Sequence, residues 1–377
     1  MSEAHLAQAG TAFAVSLLIG LGGMPVANAL GHRLGMVSHP RLFGQGGAAV
    51  SYLGGAAVAA SVLAVTVPFV VLGRGLVREA GGLLAGALVL MILGLIDDRI
   101  RGLSPYLRLA AQATVAMGVW WAGVRAVPTG NAWADAALTV FFLVAATNAF
   151  NLLDNMDGVA GACAATIAAG LFLLAALGGQ YLVALLAAAI LGSSLAFLRH
   201  NLVSPRVYLG NAGSTFLGFL IAATTLKLRL PLAEPWSYLG AAAVLAVPVA
   251  DTSLVILSRL IARRPFFQGG IDHLSHRLVR LGFSTRETAL AHGLACAVGA
   301  AMVALAVVVD RTEPVMVATV LIGALTLSLL RVSIYEANPP EEGSGESLSP
   351  GDVLKLGSPR VDTLGMDTDL VEEQSRP

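Results

Sequence analysis

Charge is scarce in this chain. Asp, Glu, Lys and Arg make up only 12% of 377 residues, and 23 basic side chains balance 23 acidic ones. A protein that holds nucleic acid by bulk basicity needs a cationic excess, so that class is excluded and no nucleic-acid partner is expected. Cysteine is nearly missing as well. Cys163 and Cys296 lie far apart, each inside an apolar run, and give neither a disulfide framework nor a zinc site. Lysine occurs only at Lys227 and Lys355, a skew we assign to genome composition. The first apolar run, Ala12–Leu30, lacks a basic approach, so no cleavable signal peptide is expected. No internal repeat suggests an inverted-repeat transporter.

What the chain has in abundance is apolar sequence. Hydrophobic residues make up 56% and the mean hydropathy is +0.78, values that belong to an all-α, polytopic integral membrane protein embedded in a lipid bilayer. Runs long enough to cross about 30 Å of hydrocarbon fall at roughly 10–30, 48–73, 80–96, 107–125, 134–152, 159–178, 181–198, 207–227, 237–258, 288–309 and 314–331. The expected count is eleven, or ten where a tight junction joins two. With the amino terminus outside, the inner loops and helix ends carry thirteen basic residues and the outer ones six, as the positive-inside rule requires. The carboxyl terminus is then cytoplasmic. Residues 1–335 form the membrane domain, and 336–377, rich in Pro, Gly, Ser and acids, form a disordered tail.

In this orientation four polar clusters reach the inner face. The densest is Asn148–Gly158, with two Asn and two Asp among Asn148, Asn151, Asp154 and Asp157 alone, directly after an apolar run. Acids at such a depth are costly unless they serve a site, whereas the bland alternative is a solvated helix end with a turn. Asp97 and Asp98 end the third run, and adjacent carboxylates repel unless a cation intervenes. Two arginines beside them, Arg99 and Arg101, could equally be simple neutralisers. The segment Asn201–Thr215 holds Tyr208, Gly210, Gly213 and Ser214, where backbone could approach a ligand and a helix start could offer free N–H groups to phosphate. The loop 259–287 carries six arginines and two histidines; in a helix, His273 and Arg277 are one turn apart with His276 beside them, a basic face suited to a diphosphate.

The order, spacing and membrane placement of Asp97-Asp98, Asn148–Gly158, Gly210-Asn211-Ala212-Gly213-Ser214 and His273–Leu278 resemble the polyprenyl-phosphate N-acetylhexosamine-1-phosphate transferases, over about residues 30–290. The resemblance implies a magnesium-dependent exchange, with Mn2+ as alternative ion for Mg2+. In it a lipid phosphate such as undecaprenyl phosphate attacks the β-phosphorus of a UDP-N-acetylhexosamine and releases UMP, for cell-wall or surface polysaccharide. The loop with His273 and His276 is closer to the GlcNAc-1-phosphate branch than to the muramoyl branch. Carried over residue by residue, the catalytic set is Asp97, Asp98, Asp154, Asp157, His273 and His276. The substrate-binding set is Asn148, Asn201, Tyr208, Gly210, Gly213, Ser214 and Arg277, with Asn201 and Tyr208 at the uracil. The metal set is Asn151, Asp154 and Asn211. A homodimer is an open assembly.

Three departures stand out. Asn211 replaces the aspartate that the family uses as a principal metal ligand, Asp154-Asn155-Met156-Asp157-Gly158 varies its Asp-Gly-x-Asp-Gly pattern, and the loop Ser38–Gly47 lacks the usual basic, proline-rich approach. Asn211 therefore separates two expectations. One is an active transferase; the other is a catalytically silent relative that binds lipid phosphate as a regulator or scaffold. A transporter is disfavoured because the acids gather at one face.

Overall fold

The computed structural model describes residues 1–38, 49–72, 77–100, 102–202, 204–265 and 270–330. The tail expected to be disordered and, apart from Ser38, the loop Ser38–Gly47 lie outside the described residues. Thirteen helices are described: α1 (Glu3–Leu34), α2 (Gly54–Leu72), α3 (Val77–Ile100), α4 (Pro105–Trp121), α5 (Ala132–Leu153), α6 (Val159–Leu177), α7 (Tyr181–Asn201), α8 (Gly210–Lys227), α9 (Trp236–Ala243), α10 (Ala246–Ile261), α11 (Leu274–Arg280), α12 (Thr285–Val309) and α13 (Glu313–Leu329). The strands β1 (Val37–Ser38) and β2 (Val50–Ser51) form one short antiparallel pair.

Each of the eleven apolar runs overlaps a described helix, yet the count of spans is smaller by length and apolarity. Seven described helices meet both, α1, α2, α3, α5, α6, α7 and α12, and an eighth does so if α9 and α10 count as one span bent by 76°. The expected count of eleven is therefore not established. The protein is a multi-pass, all-α membrane protein.

Helix ends follow from local chemistry. Asn131 caps α5 by accepting from the N–H groups of Trp133 and Ala134, and Ser284 and Glu287 close a reciprocal capping box on α12. Gly35 ends α1 in the left-handed region that glycine enters without strain.

The interior is α6, α7 and α8, with α1 and α2 against α7, α12 against α6, and α3 and α5 against α8. From Ala212 to Leu226 every residue of α8 is buried, as expected for a helix that is apolar all round and rich in small residues. Lipid tails are as apolar as leucine, so such a bundle is held by close backbone approach rather than by escape from water. Gly213 shows this: a Cβ there would meet the Cα of Gly55 at 2.4 Å, and one on Gly94 would meet the carbonyl oxygen of Asn211 at 2.5 Å. Polar contacts pin the α3–α8 pair at both ends. Lys227 pairs with Glu79 at 2.5 Å at one end, and the Asp98 carboxylate meets the start of α8 at the other.

Candidate functional site

The end of α3 that carries Asp98 and the start of α8 border a cavity of about 670 Å³. It lies within the usual range for small-molecule sites. Among the described residues that line it, Asp98, Asp154 and Asp157 are carboxylates and none is Lys or Arg.

Asp98 owes its position to two backbone donors on another helix. Its Oδ1 accepts from the N–H of Asn211 at 3.0 Å and its Oδ2 from the N–H of Ala212 at 3.1 Å. It thus caps α8 from outside. Two of the N–H groups expected to be free for phosphate are thus already taken by an acid. Gly210, at φ 68°, is required in that bend, since a Cβ would meet Asp98 Oδ2 at 2.7 Å.

Asp154 is the capping residue just past α5, and Asp157 lies in the turn that leads to Gly158 and α6. Burial pushes the Asp154 carboxyl up to about 7, with repulsion from Asp157 and then Asp98 adding to it. Burial also raises Asp157, against a hydrogen bond from Asn201 that lowers it. The turn is held by Asn201, whose Oδ1 accepts from the Gly158 N–H at 2.6 Å while its Nδ2 donates to the Val207 carbonyl at 3.1 Å. Asn201 lines the cavity, but its amide is committed to the frame rather than directed at a uracil. The next residue, Tyr208, is half-buried in the wall; its N–H donates to the Ser51 carbonyl at 2.7 Å, and its own carbonyl accepts from Gly54 at 3.0 Å.

The fourth wall is α11. His276 lines the cavity with Val279, one turn further on. Burial, then His273, holds His276 below the ordinary imidazole range, so at neutral pH it meets the cavity uncharged. This replaces the basic face expected from the sequence. Ser275 is buried and donates to Oδ1 of Asn155, a residue of the cavity lining. Arg277 is 2% exposed and does not line the cavity; it donates to the carbonyls of Asp272 and Leu329 at 3.2 and 3.0 Å and to Ser258 at 2.9 Å, fastening α11 to α10 and α13. An arginine so far from water is stable only when its donors are satisfied, which is what these carbonyls do.

A second pocket of about 20 Å³, large enough for one water, is lined by four more of the expected residues, Asp97, Asn148, Asn151 and Asn211. Asp97 lies there, buried, accepting from the Leu103 N–H at 2.8 Å and pairing with Arg108 at 3.2 Å. Asn148 exchanges hydrogen bonds with Gln112. Asn151 donates to Asn211 Oδ1 at 3.2 Å and to Ser214, which in turn donates to the Gly210 carbonyl. The expected metal trio is thus divided: Asn151 and Asn211 bind each other beside the small pocket, and Asp154 faces the large one. Among the described residues, no three His, Cys, Asp or Glu side chains enclose a metal position. Gly213 is a packing residue against α2.

Among the residues that the sequence reading missed are Asn155 and Asp251. Asn155 joins the Asp154–Asp157 turn to α11. Asp251, fully buried in α10, accepts from His273 Nδ1 at 2.8 Å and from the Leu274 N–H at 2.6 Å. A lone acid in an apolar run was the available signal.

Residues 80–229 match the family described as Glycosyl transferase family 4. The chain is 28% identical over 301 residues, 77% of its length and 82% of the relative, to a Bacillus subtilis protein named "Probable undecaprenyl-phosphate N-acetylglucosaminyl 1-phosphate transferase". It is 32% identical over 308 residues to the decaprenyl-phosphate N-acetylglucosaminephosphotransferase of Mycobacterium tuberculosis, covering 69% of this chain and 73% of that one. With the undecaprenyl-phosphate alpha-N-acetylglucosaminyl 1-phosphate transferase of Escherichia coli K12 it shares 28% identity over 237 residues, 59% of this chain and 64% of the relative.

Proposed function

The chain belongs to glycosyl transferase family 4, and on that premise we propose that it moves GlcNAc-1-phosphate from UDP-GlcNAc to undecaprenyl phosphate or a similar polyprenyl phosphate, releasing UMP. The observation that carries the reading is the cavity itself. Three carboxylates and no described Lys or Arg line it, at the end of a membrane bundle where a lipid phosphate and a nucleotide could meet. A diphosphate entering that wall would be repelled unless a divalent cation came with it. Phosphoryl transfer between anions depends on neutralised charge and alignment. The donor set fits magnesium, which is held by one or two carboxylates plus substrate phosphates and waters rather than by a closed protein cage. Asp154 and Asp157 would hold it. When bound, the ion supplies the positive charge that offsets the diphosphate.

The protein's own residues then do the following. Asp98, oriented by two α8 amides, takes the proton of the lipid phosphate, whose oxygen forms the new bond to the β-phosphorus as the bond to the α-phosphate oxygen breaks and UMP leaves. Tyr208 offers the ring on which uracil stacks, and Asn201 ties the Gly158 turn to Val207, the residue before Tyr208. His276 gives the diphosphate a neutral N–H. The test is UMP release by purified protein with magnesium, undecaprenyl phosphate and a panel of UDP-sugars. No release from any of them would overturn the reading.

Tyr208→Ala should raise the KM for the UDP-sugar by about tenfold, roughly the 1–3 kcal/mol of base stacking on an aromatic ring, and leave the lipid KM nearly unchanged. Equal changes in both KM values would make Tyr208 a packing residue. For the surrounding membrane we propose the bacterial inner membrane with the amino terminus outside, supported by the thirteen-to-six distribution of basic residues. Cysteines replacing Ser2 and Ser375 should then label from outside and inside respectively; equal labelling from outside overturns this orientation.

A further inference from the structure

The first turn of α11 has no cap of its own: His273 precedes it in extended backbone and makes no side-chain cap bond. The missing acceptor comes from α10. Asp251, 0% exposed, gives one oxygen to the Leu274 N–H at 2.6 Å and the other to His273 Nδ1 at 2.8 Å. A carboxylate only accepts, so this contact puts a His273 proton on Nδ1. The His273 ring in turn sits 6.2 Å from that of His276, edge to face at 61°. His276, not His273, lines the cavity. A buried acid in an apolar helix is costly, and both of its oxygens are spent on the entry to one short arm.

We propose that Asp251 is a positioning residue for the transfer reaction: it fixes the tautomer of His273 and the start of α11, and so the place of His276 at the cavity wall. The proposal rests on the transferase reading above. It differs from a purely structural role because the carboxylate dictates a proton position as well as a shape. Asn at this place keeps an acceptor for Leu274 but presents N–H to His273 Nδ1, which moves the ring proton to Nε2.

The test uses the full chain in lipid nanodiscs, with 15N-histidine spectra and UMP-release kinetics at saturating undecaprenyl phosphate and varied UDP-GlcNAc. In wild type the ring signal lost in His273→Gln should be Nδ1-protonated. Asp251→Asn should convert it to the Nε2-protonated form and lower kcat about 10–100-fold, the usual size for a partner that orients a functional histidine, with KM within about three-fold. Asp251→Asn with wild-type kcat, or with a lower kcat but an unchanged tautomer, overturns the proposal. If that variant does not assemble, the wild-type spectrum still decides, because a His273 without a proton on Nδ1 contradicts the assignment. Wild-type protein that releases no UMP from any UDP-sugar overturns the transferase reading instead, and that result is separate from the ring spectrum.

Discussion

Asp154→Asn lowers UMP release by about 10²–10³-fold, the scale of removing one preorganised charge-stabilising group from a reaction centre, while the protein remains folded in detergent. The expectation follows from where the acid sits. Asp154 is the capping residue just past α5, has no hydrogen-bond donor fixing its carboxylate among the described contacts, and faces the large cavity beside Asp157 and Asp98. Its cost in the fold is therefore not repaid by the fold. Because burial and neighbouring acids already push its proton affinity up to about 7, losing the charge should not destabilise the cation-free protein. The thermal midpoint in chelator should be equal to or above that of wild type. The measurement pairs UMP release with a melting curve: near-normal turnover would make Asp154 structural, and a large fall in melting temperature would show that its charge serves the fold.

The second large effect is a gain. Asn211→Asp is expected to tighten magnesium binding in the absence of nucleotide by about tenfold through the field of the added charge rather than by direct ligation, since the side chain at 211 lies beside the small pocket while its backbone N–H holds Asp98 at the large one. The structure adds a condition. Asn211 Oδ1 accepts from Asn151, and its amide is within hydrogen-bonding reach of Asp98. An aspartate keeps the first contact, loses the second and sets a like charge against Asp98. Replacing a donor by an acceptor there should cost about 1–3 kcal/mol, offset in part by placing an acid in the first turn of α8. The variant should thus melt lower than wild type in chelator and regain that loss with magnesium. Calorimetric titration and melting curves, each with and without UDP-GlcNAc, test both halves. A variant that binds magnesium no more tightly than wild type would show that a charge at position 211 is not felt by the ion.

Much of the site was legible in order and composition, and the failures share one cause. Asp98, Asp154, Asp157, Tyr208, Gly210 and His276 come from four separate stretches and meet at one cavity. Their clustering at a single membrane face was visible from the charge distribution. What sequence spacing could not give was rotation. Asp97 and Asp98 are neighbours in the chain but about 100° apart around a helix, so one pairs with Arg108 and the other faces the cavity. Asn148, Asn151 and Asp154 look like successive turns of one face, yet α5 ends at Leu153, so the last of them leaves the helix's register. Arg277 reads as a basic loop residue, and only packing against α13 shows that its guanidinium is spent on backbone carbonyls. The spans were legible as apolar runs but not as a count. The break between α9 and α10 falls at Val244-Leu245, where the sequence on both sides is apolar.

The two cysteines that carried no message in the sequence have a practical consequence. Cys163 on α6 and Cys296 on α12 come together as buried free thiols in the apolar interior. Every native sulfhydryl is thereby shielded from water-soluble maleimides. The unaltered chain is its own blank for site-directed labelling, so spin or fluorophore pairs on α11 and the cavity rim could follow substrate entry without first stripping the protein of its own thiols.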